Sequence, residues 1–312
     1  MNSLLVLVGP TASGKTAVAC EIAKRLPVEM ISCDSMQVYR GMPILTQAPT
    51  KAERARLEAH LISFLDPRKE YNAAFFRKDA QKAIEKIQKK DHLPFLVGGT
   101  GLYLRALLDG IFETQADASK DEKLRQKLLR GQEKHGGDYL HEKLKKVDAV
   151  SAAKIHPNDF RRLVRALEVR HVTGKPMSEQ KSNRQGLRST FHCRIFLLDR
   201  DRKDLYDRIE RRVDAMVQKG ILREAKKLGR KKLSLTASMA IGLREMTEVL
   251  EGRRSLEEAV QLLKKNTRHY AKRQLSWFRH ERGVENISVM PDETPQQTAA
   301  KIIRLWGQGG AR

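Results

Sequence analysis

The chain has 312 residues, of which 40% are hydrophobic and 32% charged, and its formal net charge is +23 at pH 7. This length suffices for one large domain with an insertion or for two domains, and no apolar run reaches the length of a membrane span. The three cysteines, at positions 20, 33 and 193, contain no C-x-x-C pair, so we expect neither a zinc site nor a disulfide framework, and a cytoplasmic location.

The positive charge is concentrated beyond residue 110, because residues 111–312 carry +18 of the total. One interpretation is a lysine-rich, solvated surface. So uneven an excess favours a polyanionic partner instead. A membrane surface is a weaker interpretation, because no amphipathic helix presents a bulky aromatic face.

Strands alternate with helices over the first third of the chain. The apolar runs predict strands at 4–8, 28–32 and 94–99, and helical periodicity predicts helices at 16–26, at about 51–60 and at 73–90. This alternation predicts a parallel sheet with helices on both of its faces.

The pattern changes after Phe112, and helical periodicity then dominates as far as residue 186. Within this region Asn158 is a candidate helix cap and Gly174 a candidate stop. The run CRIFLLD at 193–199 predicts a strand that returns to the sheet, and we expect the chain beyond it to be helical. The fold expected is therefore α/β, with a P-loop NTPase-like core at 1–114 and 187–312 and an all-helical insertion at 115–186.

Residues 9–16, GPTASGKT, match the phosphate-binding pattern G-x-x-x-x-G-K-[ST], between a predicted strand and a predicted helix. The glycines let backbone amides face phosphate oxygens, and the helix that follows adds its N-terminal dipole. Lys15 adds a positive charge, and the Thr16 hydroxyl can ligate Mg²⁺. Such loops usually hold ATP or GTP, so nucleotide binding is the first expectation.

Three residues follow the predicted strands and could join the loop. Asp34 follows the second strand and Thr100 follows the strand at 94–99, and the carboxyl ends of parallel strands converge on the ligand crevice. Asp34 is equally consistent with a helix cap. Asp199 stands where an NTPase would hold its metal, but an apolar run that ends in Asp is common, so this assignment is weak.

Several longer blocks make the pattern specific. In chain order they are GPTASGKT, ISCDSMQVYRGM, PFLVGGTGLYLRALLDG, HPNDFRRLVRALEV, LYDRIERRVDAM and NTRHYAKRQLSWFR. Together they resemble the tRNA dimethylallyltransferases, also called isopentenyl-diphosphate:tRNA transferases, from residue 4 to about residue 282.

The resemblance implies transfer of a dimethylallyl group from dimethylallyl diphosphate to N6 of the adenosine immediately 3′ of the anticodon, with ATP not the donor. It implies a diphosphate site formed by Gly9, Thr11, Ala12, Ser13, Gly14, Lys15 and Thr16, with Mg²⁺ on Thr16. Arg212 is implied as a further cation that stabilises the leaving diphosphate, although spacing alone does not favour it over Arg208 or Arg211. Asp34 corresponds to the base that takes the N6 proton, and Thr100 to a threonine near the reacting groups.

The resemblance also implies that the protein binds the tRNA anticodon stem-loop, whose target base must be splayed out of its stack. The implied contacts to tRNA are Asp34, Ser35, Met36, Gln37, Asn158, Asp159, Phe160, Arg161, Arg162, Arg165, Lys265, Arg268 and Lys272. Without the resemblance, the arginines at 161–165 would be interpreted as a solvated helix face. Trp277 is expected in the core rather than stacked on a base. We expect a monomer that does not bind membranes.

This sequence departs from the family pattern at three places. TQAP at 46–49 stands where T-A-K-P is common, AHLI at 59–62 where paired histidines are common, and GLRE at 242–245 where G-Y-K-E is frequent. The first departure removes a lysine contact. A long zinc-finger extension seen in some eukaryotic relatives has no counterpart here, which favours the bacterial type.

Three functions other than tRNA prenyl transfer are alternatives for this sequence. A small-molecule kinase would need an arginine-rich lid and a strand-end Asp for Mg²⁺. A prenyltransferase acting on free adenine nucleotides would share the core motifs but would not need so basic an insertion and tail. A non-enzymatic RNA-binding protein would have no reason to keep Lys15, Thr16 and Asp34.

Overall fold

The structure, a computed structural model, describes residues 2–111, 121–180 and 185–308. The chain divides into two compact units, the first formed by Met1–Leu108 with Leu187–Arg312 and the second by Asp109–Gly186. The expected boundary at 114–115 lies outside the described residues.

The elements of the described chain number five strands and sixteen helices. The strands are β1 Ser3–Val8, β2 Val28–Cys33, β3 Leu93–Gly98, β4 His192–Arg200 and β5 Val284–Val289. The helices are α1 Lys15–Ala23, α2 Pro43–Thr46, α3 Lys51–Arg56, α4 Ala73–Gln88, α5 Gly101–Leu108, α6 Glu122–His135, α7 Tyr139–Val147, α8 Ala149–Ala152, α9 Phe160–Thr173, α10 Met177–Gln180, α11 Arg202–Gln218, α12 Ile221–Gly229, α13 Leu235–Ser238, α14 Leu243–Leu250, α15 Leu256–Arg279 and α16 Pro295–Gln308.

The sheet belongs to the first unit and is parallel throughout, with strand order β2-β3-β1-β4-β5. Because β1 is central, with β3 on one side and β4 on the other, the turn after Val8 lies where the strand order reverses. Parallel α/β sheets bind ligands at such a switch point. The expected α/β fold with a parallel sheet is confirmed.

Both faces of the sheet are covered by helices, because successive side chains of a strand point to opposite faces. Leu4, Val6 and Val8 pack in one core with α4, α5, α11, α12, α14 and α15. Leu5 and Leu7 pack in the other with α1 and α16.

The expectation of a wholly helical C-terminal region is wrong at β5. VENISV has a weak alternation, in which Ile287 and Val289 are buried while their neighbours are half-buried or exposed. β5 pairs with β4 alone, at the edge of the sheet. Pairing with a distant strand, rather than a strong local pattern, makes it a strand.

The second unit is helical and has its own small core, which includes Leu128, Leu140, Leu144 and Leu163. α9 ends at Gly174, whose φ is 70°, as expected. The cap at its start is Asp159 and not Asn158, because the Asp159 carboxylate accepts a hydrogen bond from the backbone N–H of Arg162.

Across residues 2–111, 121–180 and 185–308, no helix combines the length and the hydropathy that crossing a membrane requires.

Candidate active site

The phosphate loop joins β1 to α1 through a left-handed turn. Gly14, with φ 96°, precedes α1, and Ala12 is also left-handed at φ 65°. A side chain is strained at a φ near 96°, which is why glycine is needed at position 14. No side chain caps the first turn of α1, so its amides remain available to an anion.

Lys15 folds back over the loop that precedes it. Its Nζ donates to the carbonyl of Gly9 at 2.9 Å and to that of Pro10 at 2.8 Å. Burial, and then the positive charge of Arg212, lower the pKa of Lys15 to about 7, and Asp34 opposes the shift. A bound anion would favour the charged ammonium.

Arg212 extends from α11 to the loop. Its Nη1 donates to the Thr11 hydroxyl at 3.0 Å and its Nε to Gln47 Oε1 at 3.0 Å. Burial lowers the pKa of Arg212 to about 10, against the opposing charge of Asp34, so the guanidinium stays charged at neutral pH. Spacing could not distinguish Arg212 from Arg208 and Arg211, and of these three it is Arg212 that bonds to the loop.

Asp34 and Thr100 meet because β2 and β3 are adjacent and end together, with Cys33 paired to Gly98. The Thr100 hydroxyl accepts from the Ser35 N–H at 3.1 Å. Asp34 Oδ1 accepts from the N–H groups of Met36 at 2.8 Å and Gln37 at 3.2 Å. Asp34 is therefore held by its own turn, and Thr100 supports that turn.

Lys15, Arg212 and Asp34 line one cavity of about 900 Å³ in the first unit, a size typical of ligand pockets. Thr100 is not part of this lining and contacts the site through the Ser35 N–H. The polar lining includes Thr11, Lys15, Thr16, Asp34, Ser35, Gln37, Gln47 and Arg212. The apolar lining includes Leu45, Val213, Met216, Met239, Ala240, Ile241 and Leu263. The cavity therefore joins an anion-binding loop, a carboxylate and an apolar wall.

Two loop residues expected at the diphosphate lie behind the cavity wall. Ser13 is 0% exposed, its N–H donates to the Pro10 carbonyl at 3.2 Å, and its own carbonyl accepts from Arg200 Nε at 2.8 Å. Gly9 lies close to it, since a Cβ at Gly9 would be 2.8 Å from Ser13 Oγ. Both residues shape the loop from the side opposite the cavity.

Asp199 lies away from this cavity. Its carboxylate pairs with Arg279 of α15 at 2.9 Å, while the next residue, Arg200, holds the loop. Strand alternation explains the difference, since neighbours on β4 point to opposite faces and α1 covers the face of Arg200. Among the described residues, the one cluster of three or more acids, cysteines or histidines close enough together to hold a metal is Glu29, Glu58 and His92, which lies outside the cavity lining.

Sequence reasoning missed four side chains at or beside this site. They are Arg200, Tyr270, Gln274 and Gln47, the last of which bonds to Arg212. Tyr270 lines the cavity, and burial, followed by the charge of Asp34, raises the pKa of its phenol. Gln47 lies within the TQAP departure from the family pattern. No local signal identifies Arg200 or Gln274, because their partners are far away in sequence.

The residues expected to contact tRNA lie in three places. Ser35, Met36 and Gln37 line the cavity with Asp34. On α15, Lys265 and Lys272 are exposed, whereas Arg268 pairs with Glu210 at 2.8 Å. Trp277 is partly buried against the core, with Arg105 4.6 Å from the centre of its ring.

The third place is the start of α9, in the second unit. Asn158, Phe160, Arg161 and Arg162 are exposed. Arg162 pairs with Asp159 at 3.3 Å. Arg165 donates to Glu168 at 2.8 Å, and Arg125 makes two hydrogen bonds of 2.7 Å to the same buried carboxylate.

Residues 37–281 match the family described as IPP transferase. The chain is 45% identical over 284 residues to the tRNA dimethylallyltransferase of Halalkalibacterium halodurans, with 91% of this chain and 90% of that protein covered. It is 42% identical to the enzyme of the same name from Thermotoga neapolitana, with 96% and 97% covered.

Two solved structures are similar in fold. The full-length tRNA isopentenylpyrophosphate transferase from Bacillus halodurans superposes with a TM-score of 0.72 at 39% identity, with 99% of this chain and 97% of that chain covered. A eukaryotic dimethylallyltransferase described as acting on tRNA gives a TM-score of 0.82 at 28% identity, with 99% and 80% covered.

Proposed function

The chain belongs to the IPP transferase family, and from that premise we propose that it is a tRNA dimethylallyltransferase. The reaction is transfer of the dimethylallyl group of dimethylallyl diphosphate to N6 of the adenosine immediately 3′ of the anticodon, with release of pyrophosphate. One observation carries the proposal, namely that Lys15, Arg212, Asp34 and an apolar wall line the same cavity.

The donor's diphosphate binds at the phosphate loop, with Lys15 and Arg212 as its cations. Negative charge accumulates on the diphosphate as the bond between the prenyl carbon and oxygen breaks. Two positive charges and the amides at the start of α1 stabilise that charge from fixed positions. Anion binding releases Lys15 from the Gly9 and Pro10 carbonyls, to which it donates in the free protein.

A divalent cation, which we propose is Mg²⁺, suits the donor set of this site. Thr16 offers a hydroxyl at the cavity. Mg²⁺ is commonly held by few protein oxygens together with substrate phosphate oxygens and water. When bound, the ion adds positive charge at the diphosphate.

Asp34 accepts the proton that the attacking amine loses. N6 of adenine is a weak nucleophile, because its lone pair is delocalised into the ring. As the nitrogen–carbon bond forms, the bond to the diphosphate oxygen breaks and takes its electron pair with it, and the N6 proton passes to the Asp34 carboxylate. The hydrogen bonds from Met36 and Gln37 to Oδ1 fix the carboxylate's orientation beforehand.

The apolar wall holds the five-carbon chain. Met216, Met239 and Leu263 belong to this wall, and it favours a hydrocarbon over water. Exclusion of water also protects a reactive prenyl group from hydrolysis.

The tRNA anticodon stem-loop is the proposed acceptor, and its target base must leave the stack to reach Asp34. Exposed cations on α9 and α15, among them Arg161, Lys265 and Lys272, supply the charge for the phosphate backbone. We further propose a monomer that acts in the cytoplasm.

The test is a comparison of acceptors. In the first assay, the protein is incubated with labelled dimethylallyl diphosphate and Mg²⁺, and the acceptor is either unmodified tRNA or AMP. In a parallel reaction, the protein is incubated with labelled ATP and AMP. Label in tRNA alone is expected. Label in AMP would indicate an enzyme acting on free nucleotides, and phosphate transfer from ATP without prenyl transfer would indicate a kinase. Either result would contradict the proposal.

A further inference from the structure

Gln274 is a buried side chain of α15 that touches two strand ends of the site. It is 6% exposed. Its Oε1 accepts from the backbone N–H of Thr11 at 2.8 Å, and its Nε2 donates to the backbone carbonyl of Gly99 at 2.8 Å. One amide group therefore joins the phosphate loop after β1 to the turn after β3, which leads to Thr100.

The close approach of Gln274 to the turn after β3 depends on the glycine at position 99. A Cβ at Gly99 would lie 2.3 Å from Gln274 Nε2, so a larger residue there would displace the amide. Both hydrogen-bonding ends of Gln274 are thereby committed, and its orientation is fixed.

Thr11 is held by two helices at once. Gln274 of α15 holds its N–H, and Arg212 of α11 holds its hydroxyl at 3.0 Å. If Thr11 lost its main-chain partner, its half-buried N–H would be left without a protein acceptor, and Arg212 would lose a fixed partner. The position of Arg212 thus depends on the side-chain amide of Gln274, which also lines the cavity.

We propose that Gln274 is a positioning residue for the donor site, which holds Thr11 and through it Arg212 in the arrangement that binds diphosphate. The proposal rests on the proposed function for the identity of the donor. The binding of inorganic pyrophosphate tests it without prenyl transfer, so its failure and the failure of the proposed function can be told apart.

The second unit offers a matched control in Gln132. This glutamine is 9% exposed, its Nε2 donates to the Gly137 carbonyl at 2.9 Å, and its Oε1 accepts from the Leu140 N–H at 3.1 Å. It has the burial and the two backbone hydrogen bonds of Gln274, and both of its partners belong to the second unit. Gln132→Met and Gln274→Met therefore remove equivalent interactions.

The experiment measures the affinity of inorganic pyrophosphate with Mg²⁺ by calorimetry, on the full chain and on both variants. Gln274→Met is expected to weaken pyrophosphate binding about 10- to 100-fold, and Gln132→Met less than 2-fold. In the transfer assay, Gln274→Met should raise the KM for dimethylallyl diphosphate far more than the KM for tRNA. Equal pyrophosphate affinity in the two methionine variants would overturn the proposal.

Gln274→Glu keeps the assay informative if Gln274→Met fails to fold. Glutamate retains an acceptor for the Thr11 N–H and loses the donor to Gly99. The Gln274→Glu variant should therefore bind pyrophosphate more tightly than Gln274→Met does. If Gln274→Met does not fold, the pyrophosphate affinity of Gln274→Glu should remain within about 10-fold of that of the unmodified protein. A loss of binding beyond 100-fold, in a Gln274→Glu variant that melts as the unmodified protein does, would assign the effect to charge and contradict a role through Thr11.

Discussion

Arg212 in the cavity and Arg161 on α9 carry the same charge in different surroundings. Arg212 is half-buried and bound to Thr11 and Gln47. Arg161 is exposed, and it forms no ion pair with another described residue. The first is fixed before any ligand arrives, so it can act on charge that develops at one place. The second can reach a phosphate wherever the backbone passes, at a small gain for each contact.

The arginines of α9 also differ from one another, because one is held by a buried carboxylate and another is exposed. Arg165 shares the buried carboxylate of Glu168 with Arg125. Burial alone would raise the pKa of Glu168, but the hydrogen bonds from the two arginines lower it overall. Arg165 therefore resembles Arg212 in being held, whereas the exposed side chain of Arg161 has the freedom that a tRNA contact needs.

The largest effect is expected at Asp34, the proposed base of the cavity. Asp34→Asn keeps an oxygen acceptor for the Met36 and Gln37 N–H groups but cannot accept the proton, so kcat should fall about 10²- to 10⁴-fold while tRNA binding remains. Single-turnover transfer and a tRNA binding isotherm measure the two. Asp34→Ala should also lower Tm, because the turn loses its acceptor. Equal loss of binding and transfer in Asp34→Asn would argue against a base.

Removing the held cation should have the next largest effect. Arg212→Met should lower kcat about 10²- to 10³-fold, because a preorganised charge at the leaving diphosphate is lost. Arg208→Met is the control, since Arg208 also lines the cavity but bonds to Asp204 at 3.0 Å. Similar rates for the two variants would show that the cavity needs positive charge but no particular arginine.

The pH dependence of pyrophosphate binding should report Lys15. The pKa of Lys15 is lowered to about 7, so its charged form dominates below that pH and is lost above it. Pyrophosphate favours the charged form, and its affinity should fall by at most about tenfold per pH unit above pH 7. In Lys15→Arg the side chain stays charged, and the titration of pyrophosphate itself is unchanged. Identical pH profiles for the two proteins would exclude Lys15 as the titrating group.

The smallest effect is expected on α9. Arg161→Gln should weaken tRNA binding only a few-fold and reduce the slope of log K against log salt by roughly 0.7–0.9, as for the loss of one phosphate contact. Arg165→Gln should instead lower Tm, as should Arg125→Gln, because each leaves Glu168 with one partner fewer. If Arg165→Gln weakened tRNA binding more than Arg125→Gln, Arg165 would also be a contact.

Local sequence predicted much of the cavity's framework. The run from β1 through Lys15 to α1, and the ends of β2 and β3 that carry Asp34 and Thr100, follow from apolar runs and from glycines a few residues apart. The resemblance, and not the spacing, indicated Arg212 among its neighbours. β5 was missed, because an edge strand with three apolar positions depends on pairing with β4.

The sequence alone determined the phosphate loop and the parallel strands around it, because these depend on interactions within a few residues and on the alternation of strand side chains. The tertiary structure decided which charges act and which are neutralised. Arg212 meets Thr11 from 201 residues away and Gln274 meets it from 263 residues away, and Asp199 is held by Arg279 across 80 residues. Such partners meet only when distant helices pack on the sheet, and no local pattern encodes that packing.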